Sequence, residues 1–169
     1  QPKIGGKWRI LANIFANPNL PEIDDYMQIL SEYGIPVRAV NMDKLHYLTS
    51  AQRVCERVQG RHDQVGVLIC GTGMGMSIAA NKFRGIYAAR CLDAGDAEMS
   101  RQVNNANVLC LAVRSGRELN EKIIHTFMNT PYTGRKLDEL EYIECMELET
   151  HPAPHAAAIG VPRAAARHA

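Results

Sequence analysis

Apolar residues fall along this chain in short β-branched runs separated by stretches where they recur every three or four positions. The first pattern predicts buried strands, the second amphipathic helices. Strands are predicted at Trp8–Ala12, Val37–Val40, Val65–Cys70, Gly85–Cys91 and Val108–Ala112. A helix over Ile23–Tyr33 would turn Ile23, Met27, Ile29 and Leu30 inward, and Gly34 stops it. A second helix covers Leu48–Val58, with Thr49 or Ser50 available as its cap. Further helices follow at Met76–Lys82, Gly95–Asn104 and Glu118–Met128. This alternation implies a five-stranded parallel sheet with helices on both faces, a three-layer α/β/α sandwich.

Leu137–Leu148 adds an acidic, helical stretch outside the completed α/β units, and such a helix often packs on a partner subunit. Residues 1–150 therefore read as one domain. Beyond them HPAPHAAAIGVPRAAARHA, residues 151–169, is rich in Ala and Pro and is expected to be a mobile tail. His151, His155 and His168 in that tail are expected to be solvated rather than ligands.

The chemistry concentrates in VGVLICGTGMGMSIAANK, Val65 to Lys82. An apolar strand ends in Cys70, and Gly71, Gly73 and Gly75 follow before the pattern turns helical. Glycines there permit backbone conformations closed to other residues and leave amide N–H groups bare at a helix start, which favours anions. A thiol at the strand's C-terminal tip, facing such a nest, sits where open α/β sheets bind ligands. The spacing is not the dinucleotide pattern Gly-x-Gly-x-x-Gly, and no Gly-Lys-Ser/Thr follows to make a P-loop. A tight βα turn with a structural cysteine is the plain alternative.

Composition narrows the classes. At 169 residues, 46% hydrophobic and 22% charged, the chain suits a single domain with a full core. A formal charge of +1 gives no case for nucleic acid or a basic membrane surface. No apolar run approaches the roughly 20 residues of a membrane helix. Lys3, Lys7 and Arg9 interrupt any leader-like stretch at the start. Five cysteines, an odd number with no Cys-x-x-Cys pair, suggest free thiols and a reducing cytoplasm. Cys91 and Cys110 read as small buried hydrophobes, and no metal or other cofactor is expected.

ICGTGMGMSIAANK followed by GIYAARC closely resembles the core of the ribose-5-phosphate isomerase B family, which includes the galactose-6-phosphate isomerase subunits. The likeness continues through MSRQVNNANVLCLAVRSG and FMNTPYTGR, covering about Val65 to Arg135, and reaches the N-terminal third by layout only. It implies a Rossmann-like fold and a cofactor-free aldose–ketose isomerase acting on a sugar phosphate through a cis-enediolate. The family's members are dimers with shared sites, so the resemblance implies a homodimer or a dimer of dimers, with the last helix at the interface. Cys70 matches the family's base at carbon, and Thr72 its threonine that positions the cysteine and relays protons. The amides of Gly71, Thr72, Gly73, Met74 and Gly75 would receive the enediolate oxygens. Asn104 matches a substrate-contacting asparagine. Arg114 and Arg135 match phosphate-binding arginines, the latter reaching across the dimer. Ser100 and Arg101 share the helix end with Asn104, and Asn107 reads as structural.

Three positions depart from the family. Its Asp-His after the first strand is replaced within ANIFANPN, where Asn13 or Asn17 is a neutral substitute. Its ring-opening histidine is Val103, and a phosphate arginine four residues beyond Arg135 is Glu139. Valine transfers no proton, and glutamate repels phosphate. The expected activity is ribose 5-phosphate/ribulose 5-phosphate type isomerisation. The departures keep alternatives open: another sugar phosphate such as a tetrose 4-phosphate or galactose 6-phosphate, His46 or His62 entering the site from a loop, or a non-catalytic sugar-phosphate-binding subunit.

Overall fold

The computed structural model describes residues 13–15, 23–32, 38–39 and 46–149. Strand β1 (Asn13–Phe15) leads to helix α1 (Ile23–Ser31), β2 (Arg38–Ala39) and α2 (Tyr47–Val58). Then come β3 (Gly66–Cys70), α3 (Met74–Ala80), β4 (Ala88–Arg90), α4 (Ala94–Gln102) and β5 (Val108–Ala112). A single 3-10 turn at Val113–Ser115 precedes α5 (Arg117–Asn129), and α6 spans Leu137–Glu149. The sheet order is β2-β1-β3-β5-β4, and every pairing is parallel. β3, β5 and β4 carry the described side chains of this sheet, while β1 and β2 extend it by backbone pairing. The parallel α/β architecture is thus the one the hydrophobic pattern implied.

Side chains alternate along the central strands, so each strand feeds two cores. Val67 and Ile69 of β3 and Leu109 and Leu111 of β5 pack with Tyr26, Ile29 and Leu30 of α1 and with Ile123, Ile124 and Phe127 of α5. Leu68, Val108 and Cys110 face the other way, toward Ala51, Val54 and Cys55 of α2 and Met76 and Ala80 of α3. Burying each such Leu or Ile contributes roughly 1.5–3 kcal/mol. These two clusters make the strands the middle layer.

Elements shift from their predicted bounds for local reasons. Trp8–Ala12 lies outside the described residues, as do Val37 and Val40, and the described first strand is Asn13–Phe15. His46, not Thr49 or Ser50, caps α2: its Nδ1 accepts from the Leu48 amide at 3.3 Å, and Ser50 is buried inside the helix. β4 is shorter than Gly85–Cys91 because side-chain amides take over its start. Asn107 accepts from Tyr87 N–H at 2.8 Å and donates to Gly85 C=O at 2.9 Å, while Asn81 accepts from Ala88 N–H at 2.9 Å. The chain divides into two compact units, Gln1–Lys136 and Leu137–Ala169. The tail 151–169 lies outside the described residues. No described helix is long and apolar enough to cross a membrane.

Candidate active site

β3 is buried up to Ile69 and releases the chain at Cys70, which is half-buried at the C-terminal edge of the sheet. Its side chain packs against the α2–α3 core on one side. On the other, the Gly73 amide donates to its Sγ at 3.2 Å. That bond requires the loop to fold back over the sulfur. Gly73 does so at φ +73°, where a Cβ would also stand 3.2 Å from the backbone of Leu111. Both constraints select glycine.

The nest is partly spent on its own architecture. The Met74 amide donates to Thr72 Oγ1 at 3.2 Å, and Arg114 N–H donates to Gly71 C=O at 3.3 Å. The Thr72 hydroxyl, a candidate catalytic group, thus also accepts from the first amide of α3, one residue ahead of the Gly73 N-cap. The first helical bond of α3 runs from Ser77 N–H to Gly73 C=O at 3.2 Å, so the amides of Gly75 and Met76 have no intrahelical acceptor. The expectation that all amides from Gly71 to Gly75 serve an anion is narrowed accordingly: those of Gly73 and Met74 are engaged inside the loop.

Two neighbours of the nest escape sequence reasoning. Tyr47, opening α2, lies against Gly75 so closely that a Cβ there would stand 3.2 Å from its ring. Arg90, closing β4, donates from Nε to the Thr72 carbonyl at 2.7 Å. A charged residue at the tip of an otherwise apolar parallel strand was the available signal for Arg90. Nothing in the pattern marked Tyr47.

His46 stacks its ring 4.8 Å from that of Tyr47 and is at the same edge as the nest. His62 lies past the far end of α2, just before β3 begins, so it is at the opposite edge.

Asn104 also lies at that opposite edge. α4 runs back from the C-terminal tip of β4, and Asn107, which follows it, staples the starts of β3 and β4: Gly66 N–H donates to its carbonyl at 2.8 Å. Asn107 is thus the structural residue it was expected to be. Arg135 shares the Asn104 end, because Thr133 bonds the Gln102 carbonyl through its hydroxyl at 2.8 Å and Tyr132 Oη donates to Arg135 C=O at 2.9 Å. β5 alone, at five residues, separates the two edges by roughly 16 Å. Within one chain the structure joins Cys70, Thr72, the glycines and the Arg114 backbone, and does not join them with Asn104 or Arg135.

Buried groups near these residues are structural. Arg101 is 1% exposed, donates to Thr130 C=O at 3.1 Å and Asn105 Oδ1 at 3.1 Å, and lies over the Phe127 ring. Burial lowers its pKa to about 10. Burial pushes the Cys55 and Cys91 thiols up to about 12 and raises Cys110 as well. These thiols are protonated core residues.

The model of the Ribose/Galactose Isomerase family matches residues 22–143. Ribose-5-phosphate isomerase B of Escherichia coli is 42% identical over 107 residues, 62% of this chain and 70% of that protein. D-erythrulose-4-phosphate isomerase of Pectobacterium atrosepticum is 34% identical over 134 residues, 74% of this chain and 86% of that protein. Among solved structures, type B ribose 5-phosphate isomerase from Trypanosoma cruzi superposes with a TM-score of 0.76 at 34% identity, covering 84% of this chain and 100% of that one.

Proposed function

We infer the reaction from one premise: the chain belongs to the ribose/galactose isomerase family. It is an aldose–ketose isomerase of sugar phosphates. The reading that goes further assigns the proton transfer to Cys70. Its thiolate takes the proton from the carbon beside the carbonyl, the C–H electron pair moves into the carbonyl, and a cis-enediolate forms. The proton returns to the neighbouring carbon, one proton crosses between the two oxygens, and no external oxidant or reductant is needed. Thr72 is the group for the oxygen-to-oxygen transfer. The amides of Gly75 and Met76 suit the developing oxyanion, since donors of this kind contribute a few kcal/mol each.

One observation carries this reading: the Gly73 N–H bond to the Cys70 sulfur at 3.2 Å, at the ligand-binding edge of the sheet. That bond holds the sulfur in place at this edge, and the thiolate is the form of a cysteine that acts as a base. Arg114 follows β5 at the same edge, exposed and without an ion pair to any described carboxylate, and suits the phosphate. Asn104 and Arg135 contribute only if a second copy presents its opposite edge, which supports a site shared between two chains. The exposed Leu137, Tyr142, Ile143 and Met146 of α6 suit contact with such a copy.

The substrate we favour is a four-carbon ketose or aldose 4-phosphate. Its terminal oxygen is esterified, so it closes no furanose ring and needs no ring-opening acid. Val103, where the family carries that histidine, supports this choice, as does the 86% coverage of a relative named for erythrulose 4-phosphate. The test is hydrogen exchange with deuterated water across a panel of aldose and ketose phosphates. Four-carbon phosphates should exchange and isomerise, and Cys70→Ala should stop both. Full-rate turnover of ribose 5-phosphate with none of the four-carbon compounds refutes the substrate, binding without exchange the enzyme, and an active Cys70→Ala the base.

A further inference from the structure

We propose that Arg90 is a positioning residue that tunes the Cys70 sulfur through the peptide group between Thr72 and Gly73. The carbonyl of Thr72 and the amide N–H of Gly73 belong to one peptide unit. Arg90 Nε donates to its oxygen at 2.7 Å. The other end of the same unit donates to Cys70 Sγ at 3.2 Å. Cation, peptide and sulfur form one hydrogen-bonded chain. A positive donor on the carbonyl draws electron density from the amide and strengthens the bond its N–H makes, because hydrogen bonds in series polarise one another.

Among the described residues nothing neutralises the charge at the head of this relay. No described carboxylate lies within ion-pair distance of the Arg90 guanidinium. Its Nη2 is buried and has no hydrogen-bond partner among the described residues. A buried, unpaired donor is unfavourable unless something else holds it. Here the guanidinium is held by the nest, and its field falls on the loop. The position also fits the register: Arg90 pairs with Cys110 on β5, while Cys70 lies one strand further across at the level of Ala112. From β4 the arginine therefore spans the width of β5 to bond the loop that follows β3.

Other charged or titratable groups surround the sulfur. Cys110 of β5 interacts with it, Arg114 follows β5, and Tyr47 with His46 heads α2 beside Gly75. Arg114 bonds the Gly71 carbonyl, which belongs to a different peptide. Arg90 alone among the described side chains is bonded to the peptide that bonds the sulfur.

The inference rests on Cys70 as the reactive sulfur, and the test separates it from the isomerase reading. Full-length wild type, Arg90→Met, Arg90→Gln and Arg90→Lys are alkylated with iodoacetamide over about pH 5 to 10, and the Cys70 peptide is followed by mass spectrometry. The midpoint of Cys70 modification should rise by roughly half to one pH unit in Arg90→Met and in Arg90→Gln, and return toward wild type in Arg90→Lys. The acid limb of turnover, where the thiol must lose its proton before it can act as a base, should move up with it, with kcat falling more than KM changes. A wild-type alkylation profile in whichever of the uncharged variants folds, judged by unchanged near-ultraviolet circular dichroism, overturns the relay. Alkylation needs no substrate, so an active Cys70→Ala enzyme would remove the base assignment while leaving this measurement intact.

Discussion

Cys70 and Asn104 stand at opposite edges of one parallel sheet, the first at the tip of β3 and the second past the return of α4. A separation of roughly 16 Å is several times hydrogen-bond reach, so in the shared site proposed above a substrate touching both would lie between two chains. Isologous pairing provides for this naturally, since each copy lends the same two edges. Cys70→Ala and Asn104→Ala should each be inactive alone. Mixed after unfolding and refolding at equal ratio, they should recover roughly a quarter of wild-type activity, because half the dimers are mixed and each of these has one complete site. Mixtures as inactive as their parents would place each site within a single chain.

Gly73 meets two demands at once, and alanine satisfies neither. Its φ of +73° disfavours any Cβ, and the Cβ would press on Leu111 backbone atoms at 3.2 Å that belong to the central strand. Gly73→Ala should lower unfolding stability by about 1–3 kcal/mol in urea denaturation. It should also reduce turnover about tenfold or more, because the amide that holds the sulfur moves with the loop. An alanine variant with wild-type stability and rate would mean the loop relaxes freely.

The sheet and the nest were legible because each left a local mark. β5 occupies the predicted Val108–Ala112, where five consecutive apolar residues leave no second interpretation. Cys70, Gly71 and Gly73 announced the turn through the glycine spacing. What stayed hidden depends on distance along the chain. Asn104 could be named, yet its edge of the sheet follows only from the course of α4 and from the Asn107 bonds to residues twenty or more positions away. The α2 cap was misread because serine and threonine are the usual caps, whereas here His46 supplies the acceptor. Arg90 and Tyr47 meet the nest only through tertiary packing, and neither adjoins it in sequence.

The buried thiols make a prediction about pH. Desolvation holds Cys55 and Cys91 up at about 12 and raises Cys110, so the native state keeps protons that an unfolded chain releases near its ordinary thiol value of about 8.5. Their contribution to stability is whole below that value and is lost as pH rises through about 12. The slope in that window approaches about 1.4 kcal/mol per pH unit for each thiol. Urea midpoints between pH 8 and 10.5 should therefore fall less steeply in Cys55→Ala than in wild type. Native alkylation at pH 8 should label Cys70 and the exposed Cys145 and spare the three core thiols. Equal slopes, or early labelling of Cys55, would contradict burial of the neutral form.

Val103 offers the sharpest separation between substrates. It closes α4 at the same edge as Asn104, at the position that matches the family's ring-opening histidine. A four-carbon 4-phosphate arrives open and meets no barrier there. A pentose 5-phosphate arrives largely as a furanose and needs a proton moved to and from the ring oxygen. Introducing histidine supplies a group that exchanges protons near neutral pH. Val103→His should therefore raise kcat/KM on ribose 5-phosphate about tenfold or more, the lower range of general acid–base catalysis, and leave the four-carbon reaction within about threefold. The new activity should fall below roughly pH 6, as the imidazole becomes charged and ceases to accept a proton. If the variant gains nothing on the pentose while keeping its four-carbon rate, ring opening does not limit this enzyme, and the substrate preference must come from the phosphate end. Exchanging Glu139 for arginine would then be the informative change, because it restores a positive charge where phosphate is expected without touching carbon chemistry.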